Sequence, residues 1–195
     1  SVLVRLTEKY KEEFMPRLLH RLDMATSGVM IFAKTKRAHK HLQKQFLNRI
    51  VKKTYVALLN GQIKNTEGEI NLPLRVDFEN RPYQMVCYKN GKHANTKYKV
   101  IEVKNGKTLV YFYPITGRTH QLRMHASHKN GLNTPIVGDI LYGKASNRLH
   151  LHAKKIIFYV PYIHSHAKIT IFYMSDIHLH GKLRIFYVAD TLHAK

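Results

Sequence analysis

The chain has 195 residues and carries 33 lysines and arginines against 12 aspartates and glutamates, a formal net charge of +21. No apolar run approaches the ~18 residues of a membrane-spanning helix, and the single cysteine, Cys87, excludes an intrachain disulfide and is typical of a protein in the cytoplasm. The excess positive charge predicts a polyanionic partner, with nucleic acid favoured over a membrane surface.

The first part of the chain is predicted to alternate between helix and strand. The predicted elements are a helix over 1–19, a strand over 29–33, a helix over 35–50 and a strand over 52–59. Thr35 is the predicted N-cap of the second helix, because its hydroxyl can accept a hydrogen bond from a free amide of the first turn. The apolar residues of that helix form a stripe that should face the core: Ala38, Leu42, Phe46, Leu47 and Ile50.

The middle of the chain predicts an antiparallel sheet followed by a helix. Asn90–Gly91 and Asn105–Gly106 are typical two-residue hairpin turns, and they separate predicted strands over 84–88, 95–103 and 107–113. A helix should begin near Arg118, with Thr116 or Thr119 as its cap. The pattern predicts a single α+β domain with a mixed, mainly antiparallel sheet.

A repeat with a period of 14 residues occupies the C-terminal region, because His-x-His-x-Lys segments begin at His150, His164 and His178. Each is followed by an Ile-Phe-Tyr segment, so three strands in a meander are the simple interpretation. Residues i and i+2 of a strand share a face, so each His-x-His pair could also ligate zinc or copper. Metal sequestration by this region is therefore one hypothesis for its role.

Asp23 is the only acidic residue between Glu13 and Glu67, a stretch that contains eleven lysines and arginines. Such a setting should keep its carboxylate ionised at neutral pH. The following Thr26-Ser27-Gly28 predicts a turn, and an ionised carboxylate on a turn at a strand edge is a candidate nucleophile. An aspartate there can equally cap the turn by accepting hydrogen bonds from backbone amides. Both interpretations stay open on the residues alone.

Two further residues could complete a site with Asp23. Arg123 lies between two apolar residues that should pack inward, and a semi-buried guanidinium needs a carboxylate partner. Asp23 would suit it through a bidentate fork. Tyr55 offers a ring on which a nucleobase can stack and a phenol that can exchange a proton. The alternatives are a surface phosphate contact for Arg123 and a core aromatic for Tyr55.

Three segments in this order resemble the RluA family of RNA pseudouridine synthases: HRLDMATSG at 20–28, KKTY at 52–55 and GRTHQLR at 117–123. The resemblance covers about residues 1–174. It implies a pseudouridine synthase-like α+β domain with flanking helices and a central cleft that has Asp23 at its floor. It further implies a catalytic domain over 1–177, truncated at its N-terminus, and an atypical, repeat-derived tail over 178–195.

By this resemblance, Asp23 matches the family's catalytic aspartate, Tyr55 the tyrosine that stacks on the flipped uracil, and Arg123 the arginine that pairs with the aspartate. The implied reaction breaks the N-glycosidic bond of a uridine, turns the base and forms a C5-glycosidic bond, without metal or cofactor. Attack at C1′ of the sugar, attack at C6 of the base and elimination at C2′ all stay open.

The resemblance also implies an RNA partner, namely stem-loops of tRNA, of 23S-type ribosomal RNA, or of both. Arg21 matches a family arginine that contacts RNA near the flipped base. We expect a monomer in the cytoplasm without a membrane partner. The alternative is a non-catalytic RNA-binding or chaperone module on the same scaffold. The residues expected to bind RNA are Arg21, Lys52, Lys53, Arg81 and Arg118.

Overall fold

A computed structural model describes residues 4, 7, 8 and 15–160, together with the backbone of two later strands at 168–173 and 184–188. Helices and strands are mixed along the chain, which confirms the predicted α+β class. The elements are β1 (Arg17–Leu18), β2 (Ser27–Ala33), α1 (Lys36–Leu47), β3 (Lys52–Leu59), β4 (Glu67–Asn71), β5 (Leu74–Val76), β6 (Gln84–Val86), β7 (Asn95–Lys104), β8 (Lys107–Pro114), α2 (Gln121–Ser127), β9 (Leu151–Val160), β10 (Lys168–Tyr173) and β11 (Arg184–Val188).

The chain divides into two compact units. The first comprises residues 1–22, 28–52 and 155–195, and the second comprises residues 23–27 and 53–154. Strand β9 therefore contributes its first four residues to the second unit and the rest to the first. No helix in the described part of the chain is long and apolar enough to span a membrane.

Helix α1 of the first unit confirms its predicted cap. The Thr35 hydroxyl accepts a hydrogen bond from the Ala38 amide at 3.0 Å. The helix ends at Leu47 and not at Ile50, because Arg49 adopts a left-handed φ of 56° that stops the helical backbone. Leu47 and Ile50 are consequently exposed, so including them in the buried stripe was wrong.

The buried side-chain amide of Gln45 joins helix α1 to strand β9 by hydrogen bonds. Gln45 donates a hydrogen bond to the Tyr159 carbonyl at 2.6 Å and accepts one from the Tyr159 amide at 2.9 Å. These two hydrogen bonds resemble those between paired strands, and they give both the donor and the acceptor of the buried Gln45 side chain a partner. The core of the first unit lies beneath it and consists of Val29, Ile31, Leu42, Val51, Ile156 and Phe158.

The C-terminal strands form two different pairs and not one meander. Strand β10 pairs antiparallel with β9, as the repeat predicts. Strand β11 instead pairs in parallel with β2, with Arg184 opposite Val29, so the predicted third strand of the meander was wrong. The second and third His-x-His pairs lie outside the described residues, and so does most of the helix predicted over 1–19. The end of that helix was wrong, since Arg17–Leu18 is strand.

The second unit is an antiparallel sheet in the order β4-β7-β8-β3, with the start of β9 beside β3. The predicted hairpin at Asn105–Gly106 is confirmed: Lys104 is opposite Lys107, and both turn residues have a positive φ, as a type I′ turn requires. Its core contains Ala57, Leu59, Ile70, Leu72, Tyr98, Val110, Phe112, Leu122, Ala126, Ile136, Leu149 and Leu151.

The other predicted hairpin, at Asn90–Gly91, was wrong. Strand β6 before it pairs with β5, in a separate two-stranded sheet, and not with β7. Residues 87–91 instead close a tight turn, in which the Gly91 amide donates to the Cys87 carbonyl at 2.8 Å. A Cβ at Gly91 would lie 2.2 Å from that carbonyl oxygen, so this turn needs a glycine for space.

His125 on α2 is a fully buried histidine held in one tautomer. Its Nε2 donates to the Leu72 carbonyl at 3.3 Å, because a carbonyl can only accept, and its Nδ1 therefore accepts from the Thr96 hydroxyl at 3.0 Å. Burial lowers the pKa of His125 to about 4. A neutral His125 is therefore part of the native state.

We predict that this histidine makes folding sensitive to acid. In the unfolded chain it titrates near 6.5, so the unfolded state binds more protons as pH falls from about 6.5 to about 4, and a contribution on the order of 3 kcal/mol is lost over that window. Urea unfolding of His125→Gln should show a lower free energy of unfolding at pH 7 but a smaller loss between pH 7 and 4. The exposed-site control His93→Gln should keep the full pH dependence. An unchanged slope in His125→Gln would contradict the prediction.

Candidate active site

Asp23 lies on a tight turn that is stabilised by hydrogen bonds within its backbone and to strand β9. Its carbonyl accepts the Thr26 amide at 2.9 Å, and the next residue, Ser27, shares a hydrogen bond of 2.8 Å with Nδ1 of His152 on β9. Met24, at the tip of the turn, is fully exposed. The Asp23 carboxylate has no hydrogen-bond partner among the described residues. The turn is closed by its backbone, so Asp23 does not act as its cap.

Tyr55 on β3 belongs to the electrostatic surroundings of Asp23. Burial, and after it the negative charge of Asp23, raise the pKa of the Tyr55 hydroxyl above its ordinary value. The phenol is therefore neutral at physiological pH and keeps its proton. Tyr55 stands opposite Phe112 on the antiparallel neighbour β8, which sets the position of its ring at the sheet.

Arg123 on α2 is buried, as predicted, but its partner is Asp139. Its Nε donates to Oδ2 of Asp139 at 2.8 Å and its Nη2 donates to Oδ1 at 2.5 Å, so the bidentate fork assigned to Asp23 was wrong. The guanidinium also lies over the ring of Tyr142, 5.1 Å from its centroid. Burial lowers the pKa of Arg123, but the hydrogen bonds and charge of Asp139, helped by the charge of Asp23, outweigh this and raise it.

Asp139 and Tyr142 are site residues that the sequence analysis missed. Asp139 is the only acidic residue between Glu102 and Asp176, so the isolation that singled out Asp23 could have found it. The preceding Gly138 has a φ of 77°, and a Cβ there would lie 1.6 Å from the Arg148 carbonyl oxygen. Only glycine fits at this position, and it places Asp139 beneath α2.

Gln121 organises the segment that leads into α2. Its side-chain oxygen accepts from the Thr116 hydroxyl at 2.7 Å and from the Arg118 amide at 2.9 Å, and its amide nitrogen donates to the Asn95 carbonyl at 2.9 Å. The predicted cap by Thr116 or Thr119 was wrong, and so was the start at Arg118, because the N-cap is His120, in a left-handed conformation without a side-chain cap. Thr116 is turned towards Gln121 instead.

His120 ties this segment to Tyr142. Its Nδ1 lies 2.7 Å from the Tyr142 hydroxyl oxygen, which also accepts the Gln84 amide at 2.8 Å. Burial raises the pKa of Tyr142 to about 12. Tyr142 therefore remains a neutral phenol whose hydroxyl group is held by Gln84 and His120. It also borders an open cavity of about 670 Å³, whose lining includes Tyr83, Met124 and His128 but not Asp23 or Tyr55.

Three of the five predicted RNA-binding residues lie in the same unit as Asp23. Lys53 donates to the Thr116 carbonyl at 3.4 Å, and Arg118 donates through Nε to the His93 carbonyl at 3.0 Å. Arg81 is exposed, with its guanidinium 5.3 Å from the centroid of the Phe78 ring. Lys52 and Arg21 are exposed in the first unit.

The first His-x-His pair has ordinary hydrogen-bond partners. His150 is bonded to the side chain of Asn147 at 3.1 Å, and His152 to Ser27. Within the described residues no group of three or more His, Cys, Asp or Glu side chains could hold a metal ion.

Comparisons with known proteins agree on one family. A family model described as RNA pseudouridylate synthase matches residues 2–128. The chain is 45% identical, over 150 residues, to a Vibrio cholerae protein named dual-specificity RNA pseudouridine synthase RluA, covering 74% of this chain and 60% of that protein. A Yersinia pestis protein of the same name is 48% identical, covering 73% of this chain and 71% of that protein. The chain thus spans 60% of the length of the Vibrio cholerae relative.

A solved structure agrees with these sequence relatives. Human RNA pseudouridylate synthase domain containing 1 has a TM-score of 0.71 at 28% identity, covering 90% of this chain and 74% of that one. The similarity therefore extends from the motifs to the course of the backbone.

We predict that Lys53 titrates unusually early, because burial lowers the pKa of its amine to about 8. In protein whose lysines carry ¹³C-methyl labels, one resonance should titrate near this value and lose its charged form as pH rises through it. Lys53→Arg should remove that resonance and Lys52→Arg should retain it. A spectrum in which every lysine titrates near about 10.4 would contradict this.

Proposed function

Because this chain belongs to the RNA pseudouridylate synthase family, we propose that it isomerises uridine to pseudouridine in RNA, with Asp23 as its nucleophile. The observation that carries the proposal is the setting of the Asp23 carboxylate. It has no hydrogen-bond partner among the described residues, yet its charge acts on Tyr55, Arg123 and Tyr142. A carboxylate whose charge is felt by a guanidinium and whose oxygens accept no hydrogen bond remains available to attack an electrophilic carbon.

Tyr55, Asp23 and Arg123 have separate roles in the proposed reaction. A uridine in an RNA loop is extruded from its stack, at a cost of a few kcal/mol, and its base stacks on Tyr55. Asp23 attacks while Arg123 stabilises its charge. The bond between N1 of the base and the sugar breaks, the base turns and its C5 becomes bonded to the sugar, so C5 loses a proton and N1 gains one. Tyr55 enters this sequence as a neutral phenol, so it can donate a hydrogen bond to the base, and it would have to pass its own proton on before it could accept the C5 proton.

The RNA backbone is the proposed partner of the basic residues. With a net charge of +21, the chain attracts phosphates over a wide surface. Lys53 contacts the carbonyl of Thr116, and Arg118 follows two residues later in the chain, so phosphates bound by them would lie near the turn into α2. We assign Arg21, Lys52 and Arg81 to the flanking RNA.

The finer assignments follow from the same proposal. The proposed substrates are tRNA anticodon stem-loops and 23S-type ribosomal RNA loops, in keeping with relatives whose name describes a dual specificity. We further propose that the protein acts as a monomer in the cytoplasm. Residues 1–177 form the proposed catalytic domain, and residues 178–195 are an added tail.

The decisive substitution is Asp23→Asn, which keeps the size of the side chain and removes its charge. RNA labelled with tritium at uridine C5 should release tritium to water with the unaltered protein, because C5 loses its hydrogen when the new bond forms. We predict that Asp23→Asn lowers the rate by about a thousandfold or more while RNA affinity changes by less than about threefold.

Glu102→Gln is the matched control, because it removes one exposed negative charge from β7, away from the turn at Asp23, and it should leave release unchanged. Folded protein that releases no tritium from any stem-loop substrate would contradict the proposed function. Equal release by Asp23→Asn would contradict the assigned nucleophile.

A further inference from the structure

We propose that the open cavity bordered by Tyr142 is a second nucleobase site, which takes an unpaired guanine of the RNA beside the target uridine. This inference rests on the proposed function and extends it, because neither Asp23 nor Tyr55 lines the cavity. The cavity volume of about 670 Å³ lies within the roughly 300–1,000 Å³ of sites that hold small molecules. A base together with its ribose can enter such a space.

The cavity combines apolar, aromatic and polar side chains, as sites for unstacked bases do. All the residues that line it lie in the second unit, so it is formed within one compact body. The lining includes Met85 and Met124, the rings of Tyr83 and Tyr142, and the polar side chains of Asp77 and His128.

The two tyrosines give a base a flat surface on which to stack. Their rings meet edge to face, with centroids 5.6 Å apart and an angle of 89° between the planes. Rings at this angle cannot clamp a base between them. Tyr142 already has the Arg123 guanidinium over its ring, so we assign the stacking to Tyr83. Stacking tolerates every base, and the choice among bases therefore falls to hydrogen bonds.

Asp77 supplies the cavity with an ionised and oriented acceptor. Its Oδ1 accepts the amides of Glu79 and Asn80, each at 3.2 Å, and its Oδ2 accepts the Asn80 side-chain amide at 3.1 Å. The bond from the Asn80 side chain holds the pKa of Asp77 below its ordinary value. Each carboxylate oxygen has more than one acceptor position, so Asp77 can still accept from a ligand.

His128 supplies a neutral donor to the same cavity. Its Nδ1 accepts the Asn130 amide at 3.1 Å, so the proton of the neutral ring is on Nε2, which donates. Burial, and after it the charge of Lys129, lower the pKa of His128, which keeps the ring neutral at physiological pH. A ligand is therefore expected to present donors to Asp77 and an acceptor to His128.

Guanine is the base whose edge presents that combination. Its N1–H and its amino group are adjacent donors that suit the two oxygens of a carboxylate, and its O6 is an acceptor beside them. Adenine and cytosine present one amino group next to a ring nitrogen that can only accept. The N–H of uracil lies between two carbonyls, which a carboxylate repels.

Tyr142 connects the cavity with the catalytic groups. Its ring lies 5.1 Å from the Arg123 guanidinium carbon, and the charge of Asp23 acts on its hydroxyl. A nucleotide bound in the cavity would therefore neighbour the extruded uridine. The exposed Arg81, which precedes Tyr83 by two residues, can contact the phosphate of that nucleotide.

The first test titrates guanosine monophosphate into the full chain with ¹³C-methyl-labelled methionines. We expect the resonances of Met85 and Met124 to shift, because both line the cavity, and that of Met30, buried in the first unit, to stay unchanged. Adenosine monophosphate should bind about tenfold more weakly or worse, because it lacks the paired donors. Absent shifts at Met85 and Met124, or equal affinity for both nucleotides, would overturn the proposal.

The matched variants are Asp77→Asn and Glu79→Gln. Asparagine keeps an oxygen for the amides of the turn but loses the charge and one acceptor, so guanosine monophosphate should bind about tenfold more weakly or worse. Glu79→Gln removes a carboxylate of the same turn that does not line the cavity, and it should leave binding unchanged. Equal binding by Asp77→Asn and the unaltered protein would overturn the assigned acceptor.

A second test distinguishes a base of the substrate from a free nucleotide. In a stem-loop with one uridine and one adjacent guanine in its loop, inosine in place of guanine removes only the amino group. With the unaltered protein, RNA affinity should fall about tenfold and kcat should change less than about threefold. Equal affinity for both RNAs would overturn the assignment to RNA. If no pseudouridine forms but Met85 and Met124 shift, the proposed function fails and the guanine site stands.

Discussion

The ion pair between Arg123 and Asp139 is the interaction on which the candidate site depends. Two charges this deeply buried lose several kcal/mol each in hydration, and the loss is offset only where geometry and additional hydrogen bonds are good. Here the fork is bidentate, two backbone amides hold the carboxylate and an aromatic ring covers the cation. The pair therefore requires helix α2 and the segment around Asp139 to take fixed positions, and a site built on both inherits that rigidity.

A second polar network holds helix α2, which carries Arg123. Gln121 joins the segment before α2 to β7 through Thr116, Asn95 and Thr96, and Thr96 also meets His125. Helix α2 has seven residues, too few for stable helix formation by itself. It keeps its place because Gln121 and His125 bond to strand β7, Leu122 packs in the core and Arg123 bonds to Asp139. Short helices held in this way position side chains well and tolerate few substitutions.

Burial and neighbouring charges set the protonation states of the groups around Asp23. Tyr55 and Tyr142 are both kept neutral by burial, and the charges that act on them and on Arg123 include those of Asp23 and Asp139. Asp23, Arg123 and Asp139 together carry a net negative charge within a strongly basic chain, whose net charge of +21 attracts polyanions.

The sequence by itself determined what depends on neighbours along the chain. Thr35 caps α1 and Asn105–Gly106 closes a hairpin because each acts within four residues, and the three motifs predicted the family. Tertiary structure decided which distant groups meet. It pairs Arg123 with Asp139 and not with Asp23. It makes Thr116 a hydrogen-bond partner of Gln121 and not a helix cap, and it pairs β11 with β2. Two aspartates are chemically equal partners for an arginine, and only the packing of the strands and of the turn at Gly138 brings one of them within hydrogen-bond distance.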